Sequence, residues 1–236
     1  MNSFDLSISS LISRLAHRSL RFDLFVILVS NTRLLKGGVI LGLIWWAWFQ
    51  DEDRRRTREA LLAAIIASFP ALAVARVLSW VFFRPRPFND TRFVSFRVPY
   101  GVEAAYWEGN SSFPSDHTVL FFALVTGIFF ASRRAGWFAL VYVSLVICLP
   151  RVYIGEHYAT DILAGAALGT SMAWLANRPL IRKPLTGWAL RWLDARPGQF
   201  YLFSFLVTYQ MAELFAPLIN IFVAVTSIAH GKPPPP

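Results

Sequence analysis

The chain has 236 residues, 56% of them hydrophobic and only 16% charged, with a formal net charge of +9. A soluble domain carries about 25% charged residues, so a water-soluble globule of this composition would expose large apolar patches that a bilayer would solvate. The basic residues fall in short clusters between apolar runs, which is the pattern of membrane loops and argues against a nucleic-acid partner.

Residues 1–33 come first, with Arg14, Arg18 and Arg21 set among Leu and Ile. They read as an amphipathic segment lying in the membrane interface; Asp23 and the arginines disfavour a span there. No cleavable leader is expected, since the apolar run Leu24–Val29 is too short and no A-x-A-like site follows it. A span needs roughly 20 apolar residues, and six stretches qualify with their interfacial ends: about Leu34–Phe49, Ala60–Phe83, Ser115–Ala131, Gly136–Leu149, Tyr158–Ala176 and Phe200–Ile228. The first ends in Trp45, Trp46 and Trp48, a pattern typical of the interface. The last contains Glu213, an acid that lines a slot or pairs with a buried donor. The expected fold is therefore all-α: a polytopic membrane bundle of six transmembrane helices over residues 34–228, preceded by the interfacial helix. Residues 229–236, ending in four prolines, form an extended tail. Cys148 is the only cysteine, so no intramolecular disulfide can form. Oligomeric state is not encoded in any motif.

With six spans, Gln50–Glu59, Ser132–Ala135 and Asn177–Gln199 share one side. Once motif arginines are set aside, Lys and Arg favour that side by eleven to eight. The positive-inside rule then places it in the cytoplasm, and the other face outside, in the periplasm if the membrane is a bacterial inner membrane.

Three segments fall on that outer face: Phe83-Arg84-Pro85-Arg86-Pro87-Phe88, Ser112-Phe113-Pro114-Ser115-Asp116-His117, and the run from Arg151 through His157 to Asp161. Each alone has a plain reading. The arginines serve as interfacial anchors, the prolines as helix stops, Ser115 as an N-cap, and His157 and Asp161 as a structural pair on one helix face. Their joint occurrence at three loop–helix junctions points to chemistry instead. A phosphoryl group in transfer spreads charge over its oxygens and needs fixed cations and donors. Arg86 and Arg151 supply guanidinium contacts, and Ser115 adds a hydroxyl at a helix N-terminus. His157 is the candidate nucleophile, oriented by Asp161 one turn along. His117 is the candidate acid for the leaving oxygen and then the base for water.

These segments resemble the type 2 phosphatidic acid phosphatases, whose motifs are K-x6-R-P, P-S-G-H and S-R-x5-H-x3-D. Arg151, His157 and Asp161 match the third, Pro114, Ser115 and His117 the second, and Arg86-Pro87 the first. The resemblance implies a six-helix core, a phosphohistidine on His157, His117 as general acid, and no metal or other cofactor. Three positions depart from the pattern. Ser79 stands where a lysine is expected, with Arg76 or Arg84 as candidate replacements for its charge. Pro150 replaces a serine, and Asp116 replaces a glycine. The Asp116 form resembles bacterial undecaprenyl-diphosphate phosphatases, which implies a lipid diphosphate as substrate and the bilayer as partner. Other readings keep the site and change the lipid to phosphatidate, phosphatidylglycerol phosphate or lipid A, or make the enzyme a phosphotransferase. A haloperoxidase reading conflicts with six apolar spans, because those relatives are soluble. A non-enzymatic scaffold or transport protein with a decayed site is the remaining alternative. Glu103, Tyr106, Trp107 and Glu108 are placed to form a lid, and Arg92 and Arg97 to meet a distal phosphate.

Overall fold

The computed structural model describes residues 3–50, 53–93, 96–102, 110–212 and 214. Every regular element among them is helical. In chain order these are α1 (Ser3–Ser13), α2 (Leu20–Asn31), a π-helical turn (Leu34–Gly38), α3 (Val39–Trp48), α4 (Arg54–Val81), α5 (Asp116–Ala131), α6 (Arg133–Tyr142), a second π segment (Val143–Cys148), α7 (Leu149–Tyr153), α8 (Ala159–Ala176), α9 (Pro179–Ala195) and α10 (Pro197–Ala212). A 3₁₀ turn at Pro87–Asn89 follows α4.

Local chemistry sets several boundaries. Ser132 ends α5 and starts α6, its hydroxyl accepting from the Ala135 amide at 3.4 Å. Ser19 caps α2 in the same way, through Phe22. Both satisfy amides that a helix start leaves orphaned. The π segment Val143–Cys148 lies just ahead of Pro150. A proline has no N–H and crowds the carbonyl one turn back, and a widened turn relieves both problems.

The centre is α4 against α5 and α8, and it is built from small residues. Ala60, Ala64, Ala71, Ala75, Ala123 and Ala173 are all buried. A Cβ on Gly127 would sit 2.4 Å from the Ala64 methyl, and one on Gly169 would sit 2.2 Å from the Val119 carbonyl oxygen. Helices without large side chains between them approach closely, which is how apolar helices associate where lipid offers no hydrophobic drive. This packing holds the starts of α5 and α8 side by side, and both starts carry motif residues.

By length and composition two helices can cross a membrane, Arg54–Val81 and the continuous run Arg133–Tyr153. A third is added if Leu20–Asn31 and Leu34–Trp48, bent by 58°, form one broken span. Asp116–Ala131 is apolar but shorter. The expected last span begins in α10, and its remainder apart from Leu214, with Glu213 and the proline tail, lies outside the described residues. So do the expected lid residues Glu103, Tyr106, Trp107 and Glu108.

Three expectations are corrected. The stretch Asn177–Gln199 is not a loop: it contains the 17-residue helix α9, which buries Thr186, Ala189, Leu190 and Leu193. The tryptophan patch is not wholly interfacial, because Trp48 is buried against Phe200 and Tyr201 while Trp46 stays exposed. The N-terminal segment is two helices rather than one, and its polar side faces protein. Asp5, Ser9 and Ser13 are buried four residues apart on α1, while Phe4, Leu6, Leu11 and Leu15 are exposed. The polar stripe of α1 thus meets the bundle instead of water.

Replacing Gly169 with alanine should push α8 from α5, because the obstacle is backbone. Such overpacking costs about 1–3 kcal/mol, and it should be read as a lowered unfolding midpoint in detergent. A Gly169→Ala protein as heat-resistant as the parent would show that this contact is not tight.

Candidate active site

The three loop–helix junctions converge on one cavity of about 220 Å³. Arg76, Arg86, His117, Arg151 and His157 share its wall with Ser79, Asp116 and Glu156. Arg86, Arg151, Glu156 and His157 are each less than a tenth exposed, so the wall is polar, strongly charged and largely out of water.

The spacing between Arg151 and His157 has a backbone explanation. Helix α7 ends at Tyr153, and Gly155 follows at φ +82°, a conformation that side chains disfavour. A Cβ there would also lie 2.6 Å from the Phe96 ring. The reversal brings the Glu156 amide 2.9 Å and the His157 amide 3.4 Å from the Arg151 carbonyl. The chain thus closes on Arg151, and the Glu156 carboxylate forms an ion pair with the Arg151 guanidinium.

His157 precedes α8 and does not lie on it, since Tyr158 is the N-cap. The expectation that His157 and Asp161 share a helix face is therefore corrected: the four-residue spacing straddles a helix start. The His157 Nδ1 atom is 2.8 Å from the Ser112 carbonyl oxygen. A carbonyl only accepts, so Nδ1 carries the hydrogen and Nε2 the lone pair. Ser112 does what the sequence assigned to Asp161. The Asp161 carboxylate instead accepts from the Tyr158 amide at 2.8 Å and from Arg84 at 2.7 Å. Burial comes first, then the neighbouring Arg86 and Arg151 charges, in holding His157 well below the ordinary histidine value of 6.5; the bond to Ser112 opposes them.

Of the two candidate replacements for the lysine at Ser79, only Arg76 is placed on the cavity wall. Arg76 lines the cavity and bonds Asp116 at 2.7 Å, while the Ser79 hydroxyl caps the Arg76 carbonyl at 2.7 Å. Arg84 turns away to Asp5 at 2.6 Å and Asp161 at 2.7 Å, with its guanidinium 3.8 Å over the Tyr158 ring. Ser115 is fully buried and off the cavity wall; its hydroxyl accepts from Thr118 at 3.0 Å, and its amide donates to the Asp161 carbonyl at 3.3 Å. Its expected phosphate contact is therefore replaced by a joint between α5 and α8. Arg92 is held by both oxygens of Asp90 at 2.8 Å. That bond, outweighing burial, lowers the Asp90 carboxyl to about 2. Among the described residues nothing bonds His117 Nε2 or Arg151 Nε, both buried. An orphaned imidazole nitrogen and guanidinium N–H at a cavity wall call for a polar guest.

Glu156, Asp5 and the Ser112 carbonyl were missed. Glu156 offered a signal, an acid between two matched positions. Asp5 and Ser112 offered none, because a carbonyl carries no residue identity and Asp5 is remote in sequence.

Helical elements throughout the described residues, apolar helices of membrane length and cationic walls around two imidazoles define a membrane phosphoryl-transfer protein. A family model, the PAP2 superfamily, matches residues 58–182, and the chain belongs to that superfamily. It is a hydrolase of phosphate esters or diphosphates. The undecaprenyl-diphosphatase BcrC of Bacillus subtilis (strain 168) is 27% identical over 164 residues, covering 70% of this chain and 78% of its own. The bacitracin transport permease protein BcrC of Bacillus licheniformis is 30% identical over 134 residues, covering 56% and 60%. Lipid A 4'-phosphatase of Porphyromonas gingivalis is 33% identical over 126 residues, covering 49% and 50%. No solved structure matches the chain significantly.

The lowered His157 value has a definite sign. The folded protein keeps this imidazole neutral at pH 6.5, where an unperturbed histidine is half protonated. The unfolded chain takes up that proton first, so this site's contribution to stability is intact above about 6.5 and is lost as pH falls from there through the lower folded value. With only four histidines in the chain, histidine-selective nitrogen NMR should show His157 with Nδ1 protonated and no titration at that pH. A midpoint at or above 6.5 would contradict the burial and charge argument.

Proposed function

We propose that this protein is an integral membrane phosphatase that removes the terminal phosphate of a polyprenyl diphosphate, undecaprenyl diphosphate above all, and releases the monophosphate. One observation carries the reading: a single cavity joins His157, with its lone pair on Nε2, to His117 and to Arg76, Arg86 and Arg151. His157 attacks phosphorus, the bond to the bridging oxygen breaks, and His117 delivers a proton to that oxygen. His117 then takes a proton from water, which attacks the phosphohistidine and frees inorganic phosphate. The arginines neutralise the oxygens of the transferred group. Arg76, paired with Asp116 on the same cavity wall, offers a third cation beside Arg86 and Arg151, which suits a diphosphate. The undecaprenyl-diphosphatase relative from B. subtilis supports the same lipid.

In this reading the six apolar stretches cross the membrane, and the cavity opens on the outer face of a bacterial inner membrane. A second lipid is favoured by one finding, the 33% identity to a lipid A phosphatase across 49% of the chain. The decayed-scaffold and transport alternative conflicts with the intact pair of imidazoles.

Purified protein should release phosphate from undecaprenyl diphosphate with a chelator present, and with higher kcat/KM than from phosphatidate, phosphatidylglycerol phosphate or lipid A. His157→Ala should abolish release, and His117→Ala should lower kcat by about 10²–10⁴-fold. Continued turnover by the His157 variant would sink the nucleophile assignment, and a preference for lipid A would move the substrate. Inability to bind vanadate would favour the scaffold.

Arg76 gives a separate check. Arg76→Ala leaves the Asp116 carboxylate unmatched beside an incoming anion. It should raise KM for the diphosphate about tenfold, which corresponds to about 1.4 kcal/mol. Adding Asp116→Asn should restore most of the loss; an additive double variant would mean the two residues act independently.

A further inference from the structure

We infer that Asp5, on the N-terminal helix α1, is a positioning residue for phosphoryl transfer: it clamps Arg84 and caps α8, and so holds the His157 loop against the start of α5. The inference rests on the phosphatase reading above and adds to it a residue that no motif contains.

The Asp5 side chain is fully buried. Its carboxylate accepts from the Thr160 amide at 3.0 Å, the Thr160 hydroxyl at 2.6 Å and Arg84 Nη2 at 2.6 Å. Burial acts to raise this carboxyl, but the bonds from Arg84 and Thr160 together bring it below its ordinary value, so it stands as an anion. Thr160 is the second residue of α8, and its amide is one of those a helix start leaves without a partner. Asp5 satisfies that amide from another helix, 155 positions away in sequence, and places negative charge at the positive end of α8. The next amide in the same turn belongs to Asp161, whose carboxylate takes the other arm of Arg84 and the Tyr158 N–H, and whose carbonyl accepts from Ser115. Ser115 is two residues from His117, and Tyr158 directly follows His157. Asp5 is therefore linked through Arg84 to Asp161, which in turn holds Tyr158 beside His157 and Ser115 two residues before His117.

A purely structural role explains this poorly. A buried ion pair gains little over a packed apolar contact, and the same helix pair could be joined by leucines. What the charges give is a fixed direction for Arg84, away from Arg86 and the cavity, and a fixed first turn for α8.

The test uses the full-length protein in detergent, with Asp5→Asn, Asp5→Glu, Arg84→Gln and the Asp5→Asn/Arg84→Gln double variant. Asp5→Asn should lower kcat about tenfold with KM changed less than about twofold, and should add no further loss on top of Arg84→Gln. Asp5→Glu should recover part of the rate. A second readout needs no substrate: diethyl pyrocarbonate labelling followed by mass spectrometry. Labelling of His157 should quicken in Asp5→Asn, while labelling of His17, in the turn between α1 and α2, keeps its parent rate. An unchanged kcat with unchanged His157 labelling would overturn the inference. So would losses that multiply independently, or faster labelling of both histidines, which would mean that the N-terminal helices had simply come off. If the parent protein hydrolyses no lipid phosphate, the functional reading fails, and the labelling comparison still decides whether Asp5 holds the His157 loop.

Discussion

The arrangement depends on one electrostatic constraint: several guanidinium groups, some buried and some half-exposed, are gathered in one region, and each must be held in direction without being neutralised for substrate. The solution is a set of carboxylates, each matched to a particular arginine. Asp116 takes Arg76, Glu156 takes Arg151, Asp90 takes Arg92, and Asp5 with Asp161 takes Arg84. Pairs of this kind add little net stability, because desolvation offsets the attraction where they are buried and water screens it where the arginine is exposed. Their use is directional. Arg76 and Arg151 are aimed along the cavity wall, and Arg84 is aimed away from it.

Such aiming needs rigid supports, and the small-residue packing of α4, α5 and α8 provides them. Close backbone approach at Gly127 and Gly169 leaves little freedom for the helix starts to shift. Those starts carry His117 and Asp161, and the His157 loop lies directly before one of them. The loop itself is closed by Gly155 and by two amides on the Arg151 carbonyl. Function in this superfamily member thus rests on backbone geometry as much as on the titratable groups.

The nitrogen chemistry follows from the same geometry. A backbone carbonyl is a weaker partner for an imidazole than a carboxylate, since it brings no charge. With Ser112 rather than Asp161 on Nδ1, His157 has a defined tautomer yet receives no neighbouring anion to raise its proton affinity. It therefore stays neutral among arginines, the state in which a nucleophilic nitrogen is available.

Much of this was legible in the sequence. Low charge content and long apolar runs marked a helical membrane protein, because lipid requires every backbone group to be satisfied within its own segment. Three spaced motifs marked the chemistry and brought Arg86, His117, Arg151 and His157 to one wall. Spacing is a local property, so it carries through the fold wherever a helix or a tight loop is regular. It misled where a boundary fell inside the pattern, between His157 and Asp161, and where an amphipathic face met protein instead of water, in α1. Which of Arg76 and Arg84 lines the cavity, which group accepts from His157 Nδ1, and the joining of Asp5 to Arg84 were decided only by tertiary structure. Each depends on atoms brought together from distant parts of the chain, and one of the partners is a carbonyl that every residue possesses.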